Sequence, residues 1–129
     1  MKHLIIEATE KAPFVDFNAE SGVLSISGKS IPENTAKFYQ DLLDWIAEYA
    51  KSPKPETVLN IYLMYFNTSS AKRILDLIKQ MQKLQDENKS NTTVNWTHEE
   101  NDTDMLEAGE DFQGLVHIPF NIISVVEED

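Results

Sequence analysis

Tyr65-Phe66-Asn67-Thr68-Ser69-Ser70-Ala71-Lys72 joins the most apolar segment of the chain to an amphipathic one. Before it, Thr57 to Phe66 is interrupted only by Asn60 and is rich in bulky β-formers. That stretch reads as a central strand covered on both faces. After it, Ile74, Leu75, Ile78, Met81 and Leu84 recur at helical spacing, with Lys72, Arg73, Lys79 and Lys83 over much of the remaining surface. A strand therefore delivers Asn67, Thr68, Ser69 and Ser70 to the first turn of a helix. A helix start carries unpaired backbone N–H groups and a partial positive charge, so it is capped by such side chains and tolerates an anion, including a phosphate.

Working outward, Leu4-Ile5-Ile6 reads as a short strand or an extended arm. Phe14 to Phe17 and Val23 to Ser27 flank turn chemistry at Asn18 to Gly22 and form a β-hairpin, with Gly28 closing its second strand. Ser30 and Glu33 fit a capping box with Pro32 in the first turn, so a helix is expected from there. Phe38, Leu42, Trp45, Ile46 and Tyr49 supply its apolar face, and Pro53 and Pro55 end it. On the C-terminal side, Thr92 to Trp96 alternates as a strand. Asp102 to about Leu115 reads as a short helix weakened by Gly109. Leu115 to Val126 is a last strand or a short helix, and Pro119 opposes an uninterrupted central strand there. The pattern predicts one α/β domain over 1–129, a mixed β-sheet with helices packed on it through right-handed crossovers.

Composition narrows the function. With 129 residues and 41% hydrophobic content, the chain can bury a real core. Absence of cysteine removes disulfides, thiolate metal sites and thiol nucleophiles. A net charge of −11 opposes nucleic-acid binding and suits basic protein partners. No segment is apolar enough for membrane insertion, and Glu7 comes too early for a secretory signal, so a cytoplasmic protein is expected.

No phosphate-cradling glycine loop, dinucleotide fingerprint or nucleophile elbow is present. His3, His98 and His117 are scattered without metal-ligand spacing. Glu99, Glu100, Asp102 and Asp104 suggest a cation loop but fail the EF-hand pattern at Leu106 and Glu107. Their plainer role is to favour the following helix N-terminus. Neither a catalytic residue, a metal site nor a cofactor is expected. Local chemistry leaves two roles open for the hydroxyl cluster, a helix cap or a phosphoacceptor.

Three blocks add a resemblance. Ser30 to Tyr39, Tyr65 to Lys72, and Val94-Asn95-Trp96 with the following acidic run and Met105 to Phe112 resemble, in this order, the SiaC-type bacterial regulatory phosphoproteins. The chain departs from that pattern at Thr97 and His98, and at Asn101 in the acidic block. The resemblance implies a STAS-like domain and a partner-switching role. It implies phosphorylation of Thr68, with Ser69 the fallback, by a cognate Ser/Thr protein kinase, and reversal by a PP2C-type phosphatase. It further implies that the unphosphorylated form binds an effector such as a diguanylate cyclase, tying the switch to cyclic-di-GMP and biofilm regulation. Tyr65, Asn67, Ser69, Ser70, Lys72 and Arg73 are the expected partner-binding residues. The alternative is a constitutive protein-binding module in which Asn67 to Ser70 is only a cap.

Overall fold

Local patterns become alternating elements in a computed structural model that describes residues 1–126. The expected span of 1–129 therefore includes three residues, 127–129, that lie outside the described ones. Strands β1 (Leu4–Ile6), β2 (Phe14–Asn18) and β3 (Val23–Ser30) lead into helix α1 (Thr35–Tyr49). Then follow β4 (Glu56–Phe66), α2 (Thr68–Asp86), β5 (Asn91–Glu99), α3 (Thr103–Gln113) and β6 (Phe120–Val125). The strands form one mixed sheet in sequence order, β1-β2-β3-β4-β5-β6. β1, β2 and β3 pair antiparallel, while β3, β4, β5 and β6 run parallel.

Sequential order has a consequence for coverage. Crossovers of one hand, taken in one direction across a sheet, place every helix on the same face. The side chains follow that rule. Leu59, Ile61 and Leu63 of β4 are buried with Val94 and Trp96 of β5, and against them pack Ile46 of α1 and Ile74, Ile78 and Met81 of α2. The other face is half exposed, and Asn60, Asn95 and Asn121 cross it as a ladder of amide hydrogen bonds, each 3.0 Å. The expectation that β4 is covered on both faces is thus corrected. A long apolar strand with parallel neighbours on each side is central in the sheet without being sandwiched.

Two other expectations change. Gly28 does not close β3, which continues to Ser30; it takes φ 109 where the β3–β4 register shifts. Leu63 pairs with Gly28 and Tyr65 with Lys29, so Met64 is the additional residue of a bulge. The bulge reverses the alternation, leaving Tyr65 outward and letting Phe66 turn in toward Trp96, with ring centroids 6.2 Å apart. Nor does the Ser30–Glu33 capping box form. Asn34 caps α1 instead, its side chain accepting from Lys37 N–H at 3.0 Å, while Glu33 pairs with Lys11 at 3.3 Å. Ser30 is unavailable as a cap because it is the buried last residue of β3.

Both expected C-terminal elements are present. Asp102 caps α3 by accepting from Met105 N–H at 3.1 Å. β6 begins directly after Pro119 and lies at the sheet edge, where a missing donor is tolerated. No described helix is long and apolar enough to cross a membrane.

Candidate phosphorylation site

β4 ends and α2 begins at the carboxyl end of the parallel strands, where open α/β sheets generally place their functional groups. Asn67 has extended backbone angles, φ −87 and ψ 173, and its side-chain oxygen accepts from Ser70 N–H at 2.9 Å. It is the N-cap, and Thr68, Ser69 and Ser70 are the first three helical residues. Removing the cap in Asn67→Ala is expected to lower stability by about 1 kcal/mol in a chemical denaturation titration. An unchanged midpoint would show that the first turn is held by other means.

The three hydroxyls meet different fates. Ser70 is fully buried, whereas Thr68 and Ser69 are exposed. No hydrogen bond engages the side chain of Thr68 or Ser69 among the described residues. Ser70 Oγ accepts from Ser30 Oγ at 2.8 Å and donates to the Ser30 carbonyl at 2.9 Å. Ser30 has thereby used its only proton, so the Tyr39 hydroxyl, 2.6 Å away, donates to it. The Ser30 carbonyl also accepts from Asn67 N–H at 3.2 Å. Burial pushes the Tyr39 phenol up to about 12, against the smaller opposing effect of hydrogen bonds with Ser30 and Ser70, so it stays a neutral donor at physiological pH.

Tyr65, 54% exposed, lies on the surface just ahead of Thr68 and is the exposed large apolar group nearest to it in sequence. Lys72 is exposed in the same turn region, and Arg73 is half-buried with its guanidinium 3.6 Å from Asp76. Of the expected partner-binding residues, Tyr65, Ser69 and Lys72 thus reach the surface freely, and Asn67 and Arg73 do so in part. Ser70 does not, so it is placed to shape the site from beneath. Sequence reasoning missed Tyr39 and misread Ser30. The available signal was the spacing of Tyr39, Leu42, Ile46 and Tyr49, all buried on α1.

The acidic stretch does not gather into one place. Glu99 ends β5, Asp102 caps α3 and Asp104 sits in its first turn. Among the described residues, no group of three or more His, Asp or Glu side chains converges as a metal site.

Comparison with known proteins bears on the family and the fold. A family model described as SiaC family regulatory phosphoprotein matches residues 6–125. An uncharacterised protein of Pseudomonas aeruginosa (strain UCBPP-PA14) is 25% identical over 122 residues, spanning 95% of this chain and 96% of the relative. The solved structure of SiaC of Pseudomonas aeruginosa superposes with a TM-score of 0.88 at 25% identity, over 97% of this chain and 100% of that one. The structure of the diguanylate cyclase SiaD in complex with its activator SiaC, from the same species, gives a TM-score of 0.89 at 24% identity, over 95% and 99%. The chain belongs to the SiaC family of regulatory phosphoproteins.

Proposed function

We propose that this protein is a partner switch whose state is written on Thr68. In the forward step Thr68 Oγ1 attacks the terminal phosphorus of ATP held by a cognate Ser/Thr kinase. An O–P bond forms, the bridging P–O bond breaks, ADP leaves and the hydroxyl proton passes to a base of the kinase. In the reverse step a PP2C-type phosphatase directs water at the phosphorus, releasing inorganic phosphate and restoring the hydroxyl. The unphosphorylated form binds an effector, for which a diguanylate cyclase is the leading candidate, and thereby acts on cyclic-di-GMP signalling.

The observation that carries this reading is the exposed Thr68 hydroxyl at the first position of α2. It is supported by the family's description as regulatory phosphoproteins and by the solved complex in which SiaC of Pseudomonas aeruginosa is the activator of SiaD. A phosphate there adds about 1.5 to 2 negative charges beside unpaired helix N–H groups. The fold therefore tolerates the group while the surface around Tyr65 changes character.

Co-expression with a cognate Ser/Thr kinase should add one phosphoryl group, read by intact mass and located by peptide sequencing. Thr68→Ala is expected to lose it. Phosphoryl addition that persists in Thr68→Ala would remove Thr68 as the acceptor.

A further inference from the structure

We infer that the buried hydroxyl chain Tyr39–Ser30–Ser70 is the positioning device that makes Thr68, rather than Ser69, the preferred acceptor. This rests on the reading of Thr68 given above.

An α-helix turns by about 100° per residue. Ser70 is pinned inward, fully buried, by two hydrogen bonds to Ser30. Thr68, two residues earlier, is then rotated by about 200° and points almost directly away from the core. Ser69 is rotated by only about 100° and lies along the flank of the helix. Ile74 and Ile78 fix the rotation of the helix body, but they begin one turn later. The first turn of a helix lacks half of its internal hydrogen bonds and frays unless it is held from outside. Here the hold is unusually concentrated. The Ser30 carbonyl accepts from both Asn67 N–H and Ser70 Oγ, while Tyr39 fixes the Ser30 side chain from α1. The end of β3, the start of α1 and the start of α2 meet at this single point.

The same fold contains an internal comparison. At the opposite end of α1, the Tyr49 hydroxyl lies 2.8 Å from Thr57 Oγ1, which lies 2.7 Å from Ser90 Oγ. That second cluster is buried in the same manner but is remote from α2's first turn. Ser30, Tyr39 and Ser70 are positioning residues if their loss affects Thr68 in a way that loss of the second cluster does not.

The test phosphorylates the native chain, Ser70→Ala, Tyr39→Phe and Tyr49→Phe with the same cognate Ser/Thr kinase and ATP. It measures kcat/KM and the division of phosphoryl between Thr68 and Ser69, with thermal midpoints recorded alongside. Ser70→Ala is expected to lower kcat/KM at Thr68 by about tenfold and raise the Ser69 share, the rate equivalent of a lost hydrogen bond in the aligned site. Tyr39→Phe is expected to shift both in the same direction by about threefold, and it decides the matter if Ser70→Ala does not fold. Tyr49→Phe should keep the native division whatever its midpoint. Equal losses in Tyr49→Phe, or native values in both of the other variants, would overturn the positioning role while leaving Thr68 as the acceptor. A native chain that takes no phosphoryl group on Thr68 would overturn both.

Discussion

A Gly109→Ala chain is expected to be about 2 kcal/mol less stable than the native protein, despite the better helix propensity of alanine. On an exposed helix that substitution gains about 1 kcal/mol. In α3, however, a Cβ at position 109 would lie 2.5 Å from Trp96 Cδ1 and 2.8 Å from its Nε1. Trp96 is a rigid ring, 1% exposed, and its indole N–H donates to the Met105 carbonyl at 2.9 Å. It also packs 5.3 Å from the Phe112 ring centroid. The ring has no room to retreat, so α3 must lift from the sheet and loosen both contacts. Overpacking of this kind costs typically 1–3 kcal/mol, about 2 here once lost hydrogen bonding is included. For a chain of this length the thermal midpoint should fall by roughly 8 °C, read by circular dichroism. A midpoint at or above the native value would mean that α3 is free to move off Trp96 without cost.

Phosphorylation of Thr68 is expected to weaken effector binding by about 100-fold. The chain already carries a net charge of −11. A further charge of about −1.5 to −2 at the surface next to Tyr65 must either be matched by the partner or be desolvated at a cost of several kcal/mol. The fold absorbs the same group readily, because the start of α2 presents unpaired N–H groups and lies near Lys72. Binding and stability should therefore separate. Titration calorimetry with the proposed effector should show the loss in the phosphorylated chain, while its thermal midpoint stays within about 2 °C of the native value. Thr68→Asp should show a smaller loss, since a carboxylate carries less charge and fewer acceptor oxygens. Equal affinity of both forms would favour the constitutive module, in which Asn67 to Ser70 is only a cap.

Much of the fold was legible because the deciding interactions are short in sequence. The amphipathic stripe Ile74, Ile78, Met81 and Leu84 placed α2, and Pro119 opposed a central strand in the last segment, which the structure shows as the edge strand β6. Asn67 sits three residues before the N–H that it caps, so the helix start was readable. What could not be read was coverage. The run Thr57 to Phe66 is equally apolar whether one face or both are buried, and only the one-directional crossovers leave Asn60 on an open face. Met64 offers no sign in its own chemistry that it is a bulge; the irregularity exists only relative to Gly28 and Lys29 on β3. Ser30 followed by Glu33 satisfies the capping rule, yet burial at the end of β3 took Ser30 elsewhere.

The candidate site divides in the same way. By itself, the sequence determined that a strand ends in a hydroxyl cluster at a helix start, and that Lys72 and Arg73 lie nearby. Those properties come from backbone geometry within one turn and from residues joined by a few covalent bonds. Only the tertiary structure decided which of the three hydroxyls is buried and which two are exposed. Ser70 points inward toward its partner Ser30, 40 residues earlier in sequence, and Ser30 is held by Tyr39, 9 residues after it on α1. Contacts across such separations depend on where whole elements dock, so the exposure of Thr68 is a property of the packed sheet and helices, not of its own segment.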